Sequence, residues 1–180
     1  MNEKNCELHL LLDKFSELIR PLSYLEVGVR EGDSLIRVLK HVCPSKLYLC
    51  DDWGVVAGGT GRGNHNHIAA LLDEQALNLN PVYLDGDSHV LLKTVFESFQ
   101  FITIDGDHSE EGAVKDLNDC WPLLEPNGFI FFDDIAHPLH LYLDGVVNGF
   151  IHDHANVRLV RRELFGPDYP GCAVLQKIVV

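Results

Sequence analysis

Basic residues are scarce in this chain: 14 lysines and arginines stand against 27 aspartates and glutamates, a formal net charge of −13 over 180 residues. The one basic cluster, Arg158, Arg161 and Arg162, is too short to form a stripe. A nucleic acid is held by a run of cations that displaces its counterions, so nucleic acid is not an expected partner. Long apolar runs are missing too. His9, Asp13 and Lys14 interrupt the N-terminal apolar stretch, and nothing elsewhere approaches the length of a bilayer span. No membrane segment or secretory leader is therefore expected, and the chain is read as cytoplasmic. The five cysteines are odd in number, widely spaced and without a C-x-x-C pair. Cys50 and Cys172 lie in apolar strand-like runs and read as buried reduced thiols, not as a disulfide framework. Internal repeats and low-complexity tracts are absent.

What is present is an ordinary globular balance, 46% hydrophobic and 23% charged residues, at a length suited to one domain over 1–180. Residues 6–20 carry Leu8, Leu11, Leu12, Phe15 and Ile19 at helical spacing until Pro21, which predicts a packing helix within 1–21 ahead of a core over 22–180. Strands are expected at Leu22–Val27, Lys46–Cys50, Val82–Leu84, Phe101–Asp105 and Phe129–Asp133. Helices are expected at Ser34–Val42 and near His65–Leu77, His89–Phe96 and Glu110–Leu124, with another after Pro138 running to about Phe150. The Gly-rich segment Asp52–Asn64 reads as a mobile loop. Two closing strands, Val157–Glu163 and Cys172–Ile178, can pair as a hairpin at one edge. Repeated β-then-α units of this kind predict an α/β, Rossmann-like, doubly wound sheet of seven strands, mostly parallel with an antiparallel C-terminal edge.

In such a sheet the C-terminal strand ends share one edge, where ligands bind. The first strand ends in Glu26 and Gly28, in a turn that lets a ligand approach the backbone at a helix N-terminus. Arg30 occupies the second-glycine position, so the spacing is not G-x-G-x-x-G and an ordinary nicotinamide dinucleotide site is not expected. Asp51 ends the second strand 23 residues after Gly28, where an acid commonly accepts both hydroxyls of a ribose. Asp87 and Ser88 follow the third strand on the same edge. The fourth and fifth strands run into Asp105 and Asp107 and into Asp133 and Asp134. Carboxylates converging in this way repel one another unless a cation lies between them, and as hard oxygen donors they suit Mg²⁺ or Mn²⁺ better than Zn²⁺. His108, three residues after Asp105, is placed to act as a general base beside that ion. His65 and His67 read as surface residues, and His137 and His140 as candidates to line a substrate pocket.

The stretch IDGDHSEEGAVKDL...WPLLEPNGFIFFDD, with DDWG after the second strand and GDS after the third, resembles the class I S-adenosylmethionine-dependent methyltransferases. Within them it is similar to the metal-dependent O-methyltransferases that include the catechol, macrolide and cephalosporin-type enzymes. The resemblance spans about Leu22 to Val180 and implies a single methyltransferase domain. It also implies S-adenosylmethionine as cofactor, with Glu26 and Gly28 at its methionine end, Asp51 on the ribose, and Asp87 with Ser88 on the adenine side. Asp105, Asp133 and Asp134 would hold the divalent ion, His108 would be the base, and a small-molecule hydroxyl would be the acceptor. The sequence departs from the pattern at Arg30 and Glu31. No inserted lid is evident, so the acceptor site is either open or completed by another subunit of a homo-oligomer. Two other readings remain beside this one. A metal-dependent hydrolase or phosphoesterase would use Asp105, Asp107, Asp133 and Asp134 for two ions but would leave Glu26, Gly28 and Asp51 idle. A non-catalytic scaffold would keep the fold, with or without the cofactor.

Overall fold

The computed structural model describes residues 7–54, 63–163 and 170–179. The chain opens with α1 (Glu7–Ile19), β1 (Ser23–Val27), α2 (Asp33–Leu39), β2 (Lys46–Asp51), α3 (His65–Glu74) and β3 (Val82–Asp85). It continues with α4 (Ser88–Leu91), β4 (Phe99–Ile104), α5 (Glu110–Cys120), β5 (Leu124–Phe132), α6 (Leu143–Asp153), β6 (Val157–Glu163) and β7 (Cys172–Lys177). The strands form one seven-stranded sheet in the order β3-β2-β1-β4-β5-β7-β6. β1 to β5 pair in parallel, while β7 runs antiparallel to both β5 and β6. The doubly wound sheet expected from the sequence is therefore the fold. The chain moves outward from β1 to β3, then returns to place β4 on the other side of β1. The topological switch point thus lies between β1 and β4.

The central strands are buried on both faces, which is why they read as near-continuous apolar runs. Side chains alternate along them: Leu25, Val27, Ile102, Ile104, Ile130 and Phe132 join α5 and α6 in one core layer. Tyr24, Phe101, Phe129 and Phe131 pack with α1, α2 and α3 in the other. Leu8, Leu11 and Leu12 of α1 are buried in that second layer, each contributing about 1.5–3 kcal/mol relative to exposure. Phe15 adds edge-on contacts to Phe129 and Phe131 at 5.3 and 5.4 Å between ring centroids. No helix among the described residues is long and apolar enough to cross a membrane.

Several expected boundaries moved, for local reasons. The helix expected over His89–Phe96 is the one-turn α4 followed by a 3-10 turn at Leu92–Thr94, and it starts one residue earlier because Asp87 caps it by accepting the His89 N–H. α5 stops at Cys120, and β5 begins at Leu124 instead of Phe129. The Glu-Pro-Asn-Gly turn lies within that strand: Asn127 takes a left-handed φ of 65°, and the register with β4 shifts between Phe99 and Phe101. α6 begins at Leu143, several residues past Pro138. The expected mobile loop over Asp52–Asn64 falls largely outside the described residues.

The register delivers the site. Leu84, Cys50, Val27, Ile104 and Phe132 form one row of partners across the parallel strands. The residues one step beyond that row are Asp85, Asp51, Gly28, Asp105 and Asp133.

Candidate cofactor and metal site

Above this edge lie two neighbouring cavities. The larger, about 820 Å³, is lined by Gly28, Asp51, Trp53, Asp87, Ser88 and His108 among others. The smaller, about 310 Å³, lies between α1 and the turn after β1, and includes His9, Ser34 and Asp133 in its wall. Gly28, Arg30, Asp105 and Asp134 border both cavities.

The turn after β1 is held by constraints that only glycine meets at its start. Gly28 has φ 84°, and a Cβ there would stand 1.9 Å from the Asp105 carbonyl oxygen. Arg30, at the position where a dinucleotide motif would place glycine, also adopts a left-handed φ of 51°. Such a conformation costs a non-glycine residue roughly 1 kcal/mol or more. It is fixed by the Arg30 N–H, which donates to Asp51 Oδ2 at 2.7 Å. The other oxygen, Asp51 Oδ1, accepts the N–H of Trp53 at 2.5 Å. One nearly buried carboxylate therefore anchors the turns after both β1 and β2.

Glu26 lies apart from the larger cavity. Strand alternation puts it on the face of Tyr24, beneath α2, where it is fully buried. Its Oε2 accepts the Tyr24 hydroxyl at 2.9 Å, and Oε1 accepts the Ser34 hydroxyl. Burial pushes its pKa up to about 8, against the opposing pull of these two donors. The native carboxyl resists ionisation more than the unfolded one, so the folded state loses stability as pH rises from about 4.5 to 8. Glu26→Gln, which can keep a hydrogen bond to both neighbours, is expected to flatten the fall of melting temperature across that window. An unchanged pH slope by differential scanning calorimetry would show that Glu26 is ionised in the native state throughout.

At the ends of β4 and β5 the acids converge with a histidine. Asp105, His108 and Asp134 offer ligand atoms that all lie within 4.8 Å of one another. His108 Nε2 is 2.9 Å from Asp105 Oδ1 and 3.4 Å from Asp134 Oδ2. The hydrogen bond to Asp105 holds the His108 pKa above its ordinary value. Burial first, and then the neighbouring carboxylates, raises the pKa of Asp134 and, much more, that of Asp133. Asp133 lies outside the close trio and faces the smaller cavity, its Oδ1 buried without a hydrogen-bond partner. Asp134 itself takes a left-handed φ of 60°, a strained backbone at the place where the carboxylates crowd.

Asp107, the fourth acid at these strand ends, is employed differently. Its Oδ1 accepts the Ser109 N–H at 2.8 Å, and a Cβ on Gly112 would lie 2.1 Å from its carboxyl. It braces the start of α5 and does not join the trio. His137 and His140 do line the larger cavity, with ring centroids 5.0 Å apart. His65 stacks on Tyr83 at 3.8 Å and pairs with Asp85, whereas His67 is exposed and lies against the Glu31 carbonyl. Sequence reasoning missed three supporting residues. Trp53 projects its indole N–H onto Asp85 at 2.8 Å, Tyr142 donates to the His108 carbonyl at 2.6 Å, and Asp116 joins two of the turns from below. The Trp of DDWG and the Asp of KDL were visible in the sequence. Tyr142 left no signal there, because a long-range side-chain bond has no periodicity.

A family model described as a methyltransferase domain matches residues 25–135, well over half of the chain and the whole row of candidate residues from Glu26 to Asp134. None of the curated proteins matches the chain. Among solved structures, the fold is similar to that of the O-methyltransferase TomG from Streptomyces achromogenes, involved in tomaymycin synthesis and solved in complex with SAM. That likeness has a TM-score of 0.74 at 16% identity, covering 95% of this chain and 79% of that one. The O-methyltransferase from Bacillus cereus in complex with SAH is similar with a TM-score of 0.66 at 17% identity, covering 94% of this chain and 78% of that one. The SAH-bound methyltransferase PaMTH1 from Podospora anserina gives 0.68 at 16% identity, covering 95% of this chain and 78% of that one. At such identities the likeness speaks for the fold, while the family match speaks for the sequence that builds the site; by that match, the chain belongs to the methyltransferase domain family.

Proposed function

We propose that this chain transfers the methyl group of S-adenosylmethionine to a hydroxyl of a small molecule, with Mg²⁺ or Mn²⁺ held at Asp105, Asp133 and Asp134. The observation that carries the reading is the shared wall. Asp105 and Asp134 border both cavities, so a ligand seated on Asp51 in the larger one reaches the acid cluster directly. The SAM and SAH in the similar structures support the choice of cofactor. The donor set fits a divalent ion: the close trio supplies two carboxylates, and the unpartnered Asp133 Oδ1 is a buried acceptor with no donor.

The chain's own residues then have separable tasks. Asp51 accepts the two ribose hydroxyls, and Asp87 and Ser88 border the adenine end. Gly28 leaves room for the methionine end to lie against the backbone, and Glu26 acts on that region through Ser34 instead of by contact. His108, oriented by donating its Nε2–H to Asp105, takes the acceptor's proton at the other ring nitrogen, Nδ1, and Tyr142 holds the His108 backbone in place. When bound, the cofactor supplies an activated methyl and the divalent ion lowers the pKa of the acceptor oxygen. The protein's main contribution is alignment of the two reactants across the shared wall.

A two-ion hydrolase is served less well, since Asp107 stands outside the trio of Asp105, His108 and Asp134. Thermal denaturation with S-adenosylhomocysteine tests the cofactor. At a ligand concentration 100 times Kd, the native state should gain about 2.7 kcal/mol and melt several degrees higher. No shift at millimolar ligand would remove S-adenosylmethionine from the account.

A further inference from the structure

We propose that Asp116, a buried carboxylate on α5 outside the cavity lining, is a positioning residue that sets the spacing between the two turns enclosing the adenine end of the cofactor site. The inference rests on the cofactor reading above. Asp116 Oδ1 accepts the Ser88 hydroxyl at 2.8 Å, and Oδ2 accepts the Asp107 N–H at 3.2 Å. Ser88 opens α4 directly after the β3 turn and Asp107 belongs to the turn after β4, and both border the larger cavity. These turns are far apart in sequence and leave the sheet from strands that do not pair with each other. Asp116 joins them through both of its oxygens, beside a longer contact of His89 Nε2 with Asp107 Oδ2 at 3.9 Å.

Its setting explains why the joint is firm. The side chain is 1% exposed and lies on the α5 face that buries Ala113, Leu117 and Cys120. A carboxylate placed there is costly unless donors satisfy it, so the two turns are drawn to it and not to water. His89 Nδ1, 3.4 Å from Asp116, adds a third neighbour from the β3 turn. Gly106 completes the fit: a Cβ there would stand 2.8 Å from Asp116 Oδ2 and 3.1 Å from Val27. The glycine of IDGD therefore makes room for the carboxylate beneath it. α5 is fixed by its core face, and through Asp116 it fixes the width of the cavity at that end.

The role is one of hydrogen bonding, not of charge, and the variants separate the two. Asp116→Asn keeps both joints, since the amide can donate to Ser88 Oγ while its oxygen accepts the Asp107 N–H. Asp116→Ala removes both, and Ser88→Ala removes one. Calorimetric titration of each full-length variant with S-adenosylhomocysteine should give a Kd at least about tenfold higher for Asp116→Ala, the scale of two lost ordinary hydrogen bonds. Asp116→Asn should remain within about threefold of the wild type, with Ser88→Ala between them. Unchanged affinity in Asp116→Ala overturns the proposal. Equal losses in the Ala and Asn variants also overturn it, because charge would then be the cause. If Asp116→Ala does not fold, wild-type affinity in Ser88→Ala is the overturning result. Failure of the wild-type chain to bind the ligand would instead bring down the cofactor reading itself, and it is read before any variant.

Discussion

Asp51→Ala should weaken S-adenosylhomocysteine binding by about 10²–10⁴-fold, the largest affinity loss expected of any single change at this site. Two hydrogen bonds from ribose hydroxyls to a charged acceptor are lost, each worth about 1.5–3 kcal/mol, at about 1.4 kcal/mol per factor of ten. A second effect adds to it. Asp51 also accepts the backbone N–H groups of Arg30 and Trp53, so its removal frees two turns at once. Arg30 is held in a left-handed conformation, and without its acceptor it can relax away from the cavity. Asp51→Asn separates the contributions, because the amide oxygen can keep one turn while the charge is lost. Calorimetry that finds Asp51→Ala within twofold of wild type would remove Asp51 from the binding site.

His108→Ala carries the largest expected effect on rate. With an acceptor identified from a screen of vicinal hydroxyl compounds, kcat should fall by about 10²–10⁴ while cofactor affinity is kept. The geometry leaves two ways for His108 to matter, and this variant distinguishes them. Its Nε2 is near enough to Asp105 and Asp134 to serve as an ion ligand in place of a hydrogen-bond donor. A fall in kcat with unchanged ion affinity identifies a base. A parallel fall in ion affinity identifies a ligand, and the proton then leaves by another group. Wild-type kcat in the variant would exclude both.

The sequence carried the site further than it carried individual contacts, and the physical reason lies in the sheet. Buried parallel strands show as apolar runs, and the first polar residue after each run marks a strand end. Five such ends sharing one edge could be read before any coordinates, and the residues just past them, Asp85, Asp51, Gly28, Asp105 and Asp133, fall in one row. The face of Glu26 was a question of alternation: Tyr24 and Glu26 share the α2 side, away from the larger cavity, and a strand buried on both faces gives no cue. The Glu-Pro-Asn-Gly stretch reads as a turn because Asn and Gly favour left-handed backbone, yet the same preference builds a bulge within β5. The late start of α6 follows from the Pro138–Tyr142 segment, which is tied back to His108 through Tyr142 instead of continuing as helix. Asp116 illustrates the wider limit. A buried acid in an amphipathic helix breaks the apolar pattern, but only tertiary structure shows what it bonds.

The central claim is that one edge of this sheet binds both the cofactor and a divalent ion, and manganese binding followed by electron paramagnetic resonance tests it most directly. Free Mn²⁺ is titrated into the wild-type chain and into Asp134→Asn, each with and without saturating S-adenosylhomocysteine. The account expects one Mn²⁺ per wild-type chain and a clear loss of ion affinity in Asp134→Asn, with S-adenosylhomocysteine still bound by both. Cofactor binding without any Mn²⁺ uptake, or uptake undiminished in Asp134→Asn, would contradict it and leave a methyltransferase fold whose acids serve another purpose.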